Sequence, residues 1–141
     1  MPMIDIIAPE GAFPETSEAS LLERSTQSLL KWEKTAGIPL AVANTAAWLH
    51  VLPRNRVTAG GKADRVVRVQ IITPVGSLKQ EQRAGITAEI TSIVAELAGA
   101  PNLAERSCVL FHEAVDGGWG IAGRAYTNAD LRDAIVASLK R

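Results

Sequence analysis

The chain is short of most features that announce a specialised protein. It has one cysteine, so no disulfide can form within it, only two histidines, and just 4% aromatic residues. Charge of either sign is not in excess: 15 Lys and Arg face 15 Asp and Glu. A domain that tracks phosphate backbones needs a cationic surplus, so nucleic acid is not expected as a partner, and an acidic disordered tail is excluded as well. No window approaches the ~18 uninterrupted apolar residues that cross a bilayer. The opening Met1-Pro2-Met3-Ile4-Asp5 lacks the basic flank and apolar stretch of a secretion signal. The expectation is a soluble, cytoplasmic protein without a membrane partner. What is present is apolar: 47% of 141 residues are hydrophobic. A chain of this size hides ~68% of its unfolded surface on folding, enough for one core without covalent staples. Cys108, in the run Cys108-Val109-Leu110-Phe111, reads as a small buried hydrophobe.

An internal repeat organises the sequence. Met3 to Gly11 lies in register with Arg68 to Gly76, matching apolar residues, a proline (Pro9, Pro74) and a glycine. Each run predicts a short strand. After the second, Ser77 with Gln80 three residues on predicts a capping box opening a helix; Ala12 and Glu15 are the weaker first-repeat counterpart. The second helix carries Ile86, Ile90, Ile93, Val94 and Leu97 on one stripe, and the first carries Leu22, Leu29 and Leu30 less cleanly, flanked by Thr26 and Trp32. Gly37 and Gly99, each followed two residues later by proline, mark the helix ends. Apolar runs Ala46–Leu52 and Cys108–Val115 follow, each leading to a Gly-Gly pair. The unit is β-α-β written twice. The predicted fold is α/β (α+β): a four-stranded mixed sheet with two helices on one face, plus a short C-terminal helix capped by Asn128 with Leu131, Ile135 and Leu139 along it. Repeat one is expected at about 2–53, a linker at about 54–65, repeat two at about 66–123 and the last helix at about 128–140, all one domain. Strands apolar on both sides leave a bare sheet face, which predicts a homo-oligomer.

Several motif matches dissolve in context. Gly118 to Gly123 fits G-x-G-x-x-G, but no further strand completes a βαβ unit and no acid lies ~20 residues on. Ala59-Gly60-Gly61-Lys62 lacks the first glycine and the hydroxyl of a phosphate loop. His50 and His112 have no Cys or carboxylate at ligand spacing, so neither metal nor cofactor is expected. Pro2 is different. A small second residue normally permits removal of the initiator Met, which exposes proline as a secondary amine at the head of strand one. An α-amino group titrates at about 7.7 to 8.0, and burial or neighbouring cations lower it towards the range suited to proton transfer.

Pro2, the doubled β-α-β and the glycine hairpin together resemble the tautomerase superfamily of 4-oxalocrotonate tautomerase and macrophage migration inhibitory factor. The resemblance covers nearly the whole chain, and Gly117 to Gly123 with Trp119 is similar to the family's aromatic-Gly-Ile-Gly-Gly ending. Arg124-Ala125 resembles the tail of malonate semialdehyde decarboxylase. The resemblance implies a homotrimer acting on a small anionic substrate, a keto or enol acid, with Pro2 as catalytic base and Trp119 as an aromatic wall. Val67 occupies the position of Pro2 in repeat two, so one proline site per subunit is implied. Ala12 and Ser77 stand where relatives often place a carboxylate-binding arginine, and Thr73 and Val75 where the decarboxylases carry theirs; the decarboxylases' acidic partner after helix one has no match among residues 40–44. The carboxylate clamp therefore comes from elsewhere or is absent; the candidates are Arg106, Arg124 and the segment Arg54 to Arg68, each of which also reads as a solvated surface arginine. Three readings stay open: a tautomerase with Pro2 as general base, a hydratase, dehalogenase or decarboxylase using protonated Pro2, and a non-catalytic trimeric binding or scaffold protein. The charge distribution is uneven, with Arg54, Arg56, Lys62, Arg65 and Arg68 facing only Asp64. That cationic linker is expected to draw a small anion towards Pro2.

Overall fold

A computed structural model describes residues 1–140. In chain order it contains β1 (Met3–Pro9), α1 (Glu15–Glu33), α2 (Pro39–Ala43), β2 (Ala46–Leu52), β3 (Thr58–Ala59), β4 (Lys62–Ala63), β5 (Val67–Pro74), α3 (Gln80–Leu97), β6 (Ser107–Ala114), β7 (Trp119–Ile121), β8 (Arg124–Tyr126) and α4 (Asn128–Ser138). The main sheet has the order β2-β1-β5-β6. Each repeat supplies a parallel pair, β1 with β2 and β5 with β6, and the two repeats join through antiparallel β1 and β5, in which Ile4 opposes Ile71. This is the predicted mixed sheet. The linker between repeats is itself structured, as a 3-10 turn at Arg54–Arg56 and a minimal β3-β4 ladder.

Alternation along the strands sends Ile4, Ile6, Val67, Val69 and Ile71 to one face, where they meet Leu21, Leu29, Ile86 and Ile90 of α1 and α3. The stripe on α3 matches its sequence pattern. On α1 the buried residues are Leu21, Ser25, Ser28, Leu29 and Leu30; two serines on the inner face blur the apolar period that sequence reading relies on. Helix starts also shift from expectation. Pro14, not Ala12, precedes α1, because its fixed φ of −58° already suits entry to a helix. Ser77 is held in the turn after β5, its N–H donating to the Pro74 carbonyl, so α3 begins later: Lys79 takes the cap position and its N–H donates to Gln82 Oε1 at 2.9 Å. Thr127, not Asn128, caps α4, accepting from the Asp130 N–H while Asp130 accepts from the Thr127 N–H. Asn128 instead donates its side-chain amide to the Val75 carbonyl, tying α4 to the end of β5. The end of α1 is closed by Lys34 at φ +61° rather than by Gly37, with the Thr35 N–H returning to Leu30; α3 does end as expected, at Gly99 with φ +60°.

Opposite the helices lies a face carrying Trp48, Ile72 and Leu110, which are 46%, 37% and 42% exposed, together with Cys108. Cys108 is therefore not the buried hydrophobe expected. The alternation of β6 turns Val109 and Phe111 inward and Cys108 outward. Glycine 118–123 forms no nucleotide loop: β7 and β8 pair as a hairpin whose turn residues, Ala122 and Gly123, both have positive φ, the geometry that matches strand twist. Among the described residues no helix is long and apolar enough to cross a membrane.

The two long helices are locked by Trp32. Its ring lies over Gly85, where an added Cβ would come within 2.2 Å of ring carbons, and its indole N–H donates to Glu89 at 2.8 Å. Lys31 also donates to Glu89, and this bond first, with the Trp32 bond, holds the Glu89 carboxyl below its ordinary value. Replacing Gly85 with alanine is expected to lower stability: overpacking of about 1–3 kcal/mol outweighs the ~1 kcal/mol gained in helix propensity. Chemical denaturation checks it. Because the folded-state value of Glu89 is depressed, its contribution is present above the ordinary carboxylate range and is lost as the pH falls through the folded value; Glu89→Gln is expected to flatten the acid limb of the stability-pH curve.

Candidate functional site

The amino terminus is buried by its neighbours rather than left to fray. Pro2 is fully enclosed, and its carbonyl accepts from the Ala46 N–H at the start of β2, which fixes the head of β1 against its parallel partner. Met1 packs in a second, smaller core cluster with Ala41, Trp119 and Leu131, so β7, α2 and α4 all converge on it. The terminal ammonium of Met1 donates to Glu33 Oε2 at 2.8 Å.

Glu33 is the unexpected member of this group. It is the last residue of α1, its side chain is only 5% exposed, and its one other side-chain partner is the Thr35 hydroxyl at 3.4 Å. A carboxylate at a helix C-terminus opposes the macrodipole, and a buried carboxylate costs several kcal/mol unless it is paired. Helix stability does not account for this position; the ammonium does. Glu33 precedes residues 40–44, where the resemblance implied an acid, because it lies inside the last turn of α1. The legible signal was an acid in the last helical turn, where Lys31 and Lys34 are the favourable kind of residue.

Above the pair opens a cleft of about 270 Å³. Its walls are the turn after β5, through Val75, Gly76 and Ser77, and one face of α4, through Leu131, Arg132 and Ile135. The turn belongs to repeat two and the amine to repeat one. The antiparallel β1–β5 pairing brings them together by setting Met3 opposite Ile72.

Of the residues singled out from sequence, Pro2 is enclosed directly after Met1, and Trp119 packs against Met1 itself. Trp119 is 6% exposed, clusters with Met1, and its indole N–H has no hydrogen-bond partner among the described residues. An unpartnered buried donor costs ~1–3 kcal/mol and calls for an explanation. The arginines do not join them. Arg106 is paired with Asp64 of the linker, and Arg124 with Asp130 of α4 at 2.9 Å while also stacking on Tyr126; neither lines the cleft. The linker arginines lie elsewhere too. Arg54 and Arg65 donate to the carbonyls of Glu10 and Ala12, past the far end of β1, and at ~3.3 Å per residue that seven-residue strand puts about 20 Å between them and Pro2 of the same chain. Arg132, not anticipated from sequence, is the cation that lines the cleft.

Comparison with known proteins fits this geometry. Residues 66–128, spanning the second repeat, match the family model described as Tautomerase enzyme. No curated protein sequence matches the chain. Among solved structures it is similar to Pt0534 inactivated by 2-oxo-3-pentynoate, at 23% identity and TM-score 0.76 over 90% of this chain and 97% of that one. It is also similar to the F6 fused 4-OT wild type asymmetric trimer, at 20% identity and TM-score 0.74 over 87% and 94% of the two chains. A third is the macrophage migration inhibitory factor-like protein of Entamoeba histolytica, at 15% identity and TM-score 0.71 over 89% and 98%. Residues 66–128 thus match the tautomerase family model, and the chain as a whole shares the fold of these solved structures.

Proposed function

We propose that the chain, once Met1 is removed, is a proline-dependent enzyme acting on a small keto or enol carboxylate. The observation that carries this reading is the position of Pro2: enclosed at the head of β1, one residue after Met1, which lines the cleft and packs against Trp119. In the tautomerase form the secondary amine takes a proton from the carbon next to a carbonyl. The C–H electron pair moves into the new C=C bond, the carbonyl π pair moves to oxygen, and the proton returns to another carbon or to that oxygen. Removal of Met1, which packs against Trp119, would open the unpartnered indole N–H to such a developing oxyanion, and a preorganised donor stabilises charge that forms in the transition state.

Glu33 favours a second form of the same enzyme. Removing Met1 shifts the terminal nitrogen by one residue, a step of about 3.8 Å between Cα atoms. The buried carboxylate then loses its ammonium unless Pro2 carries the proton. A cationic Pro2 acts as an acid, as hydration, dehalogenation or decarboxylation requires. A non-catalytic scaffold is the reading from another class, and it has no use for this buried charge. The bare sheet face with Trp48, Ile72 and Leu110 supports assembly into a homotrimer, in keeping with the trimer named for the F6 fused 4-OT.

Purified protein is expected to begin at Pro2 by intact mass, and Pro2→Ala to lose at least about 100-fold in turnover of an enol or oxo acid, the scale of a positioned proton-transfer group. A retained Met1 in the native host, or an equally active variant, overturns the proposal. The pH-rate profile separates its two forms: activity that rises through the amine's titration marks the base, activity that falls marks the acid. Light scattering is expected to give three chains per particle, and Trp48→Glu to reduce that number.

A further inference from the structure

The cleft over the amino terminus carries charges of opposite sign at its two ends. At its floor is the Glu33 carboxylate, paired with the terminal ammonium of Met1 until that residue is removed. On its wall is Arg132. Asn128, Leu131, Arg132 and Ile135 all line the cleft, and their spacing of three, four and seven residues is one face of a helix. Leu131 and Ile135 make that face apolar, and the Asn128 amide is already committed to the Val75 carbonyl. Arg132 is not committed. Arg24, Arg83, Arg106 and Arg124 each pair with a carboxylate, whereas Arg132 makes no ion pair among the described residues.

We infer that Arg132 anchors the substrate carboxylate and that the cleft selects a monocarboxylate, held with its charged end towards α4 and its reacting carbon towards Pro2. This rests on the reading of the cleft as the substrate site. One guanidinium can satisfy one carboxylate through two parallel hydrogen bonds. A second carboxylate reaching inward meets the apolar side chains of Leu131 and Ile135 and then Glu33, a like charge, with no side-chain cation besides Arg132 on the lining to offset its desolvation. Selectivity thus comes from repulsion at the floor as much as from attraction at the wall. Arg106 and Arg124 have no part in this anchor: each already has an acid of its own.

The test is binding, read by NMR titration of Met1-processed protein with pyruvate and with 2-oxoglutarate, a monoanionic and a dianionic 2-oxo acid. Pyruvate is expected to shift the amides of Gly76, Ser77 and the first turn of α4. Arg132→Gln, at an exposed position that leaves the fold intact, is expected to weaken pyruvate about tenfold or more, the loss of a charge-assisted hydrogen-bond pair, with Arg132→Lys intermediate. The dianion is expected to bind more weakly than pyruvate, and Glu33→Gln to narrow the difference. Unchanged affinity in Arg132→Gln, no saturable pyruvate binding, shifts centred instead on Gly11 and Arg65, or 2-oxoglutarate binding at least as tightly as pyruvate would each overturn the inference. Pro2→Ala keeps pyruvate binding while losing turnover, so failure of the proline chemistry and failure of the anchor are read on different axes.

Discussion

Everything in this molecule hangs on the antiparallel pairing of β1 with β5. Each β-α-β unit makes its own parallel pair, but a two-stranded parallel sheet with one helix has too little area to bury. Joined through β1 and β5, the two units form a four-stranded sheet whose inner face, from Ile4 and Ile6 to Val69 and Ile71, meets both long helices at once. Trp32, lying over Gly85 and bonded to Glu89, then locks α1 against α3 across the pseudo-symmetric join. The same pairing builds the site. It sets the head of β1 beside the end of β5, so the amine of one repeat lies under the turn of the other.

That junction holds a charge arrangement costly for stability alone. Glu33 lies at the unfavourable end of a helix dipole, is nearly inaccessible, and is matched by the chain's own terminus. Trp119, next to the same terminus, buries an N–H with nothing to bond. Two local violations of ordinary packing economy within one small cluster are what a functional site looks like from physics. The arginines marked by sequence obey ordinary rules, each paired with a nearby aspartate, and are correspondingly poor candidates for binding a ligand.

Much of the fold was legible because it is periodic. The matching runs around Pro9 and Pro74, the stripe on α3 and the turn glycines each follow from local backbone and burial rules, and they sufficed for the mixed sheet and its two helices. Errors arose where a tertiary contact outranked the local rule. Ser77 looked like a helix cap but is occupied in the turn after β5, Lys34 rather than Gly37 turns left-handed to close α1, and Cys108 faces outward because Val109 and Phe111 claim the core. Pro2 and Trp119 were singled out through likeness to a family; in the fold Pro2 is enclosed after Met1, and Trp119 packs against Met1. Glu33 and Arg132 were not found, since neither belongs to a motif and each matters only through what lies across a cleft from it.

The amino-acid sequence by itself determined the doubled unit, the strand faces and the position of a proline that processing can expose, because these depend on residues close in the chain. Which charges meet that proline was decided by tertiary structure alone. Electrostatic partnership depends on distance in space and on exclusion of water, so a linker of net charge +4 over residues 54–68 stays about 20 Å of strand away. A single acid at the end of α1 and a single arginine on α4, about 100 residues apart in the chain, instead line the same cleft at the amino terminus.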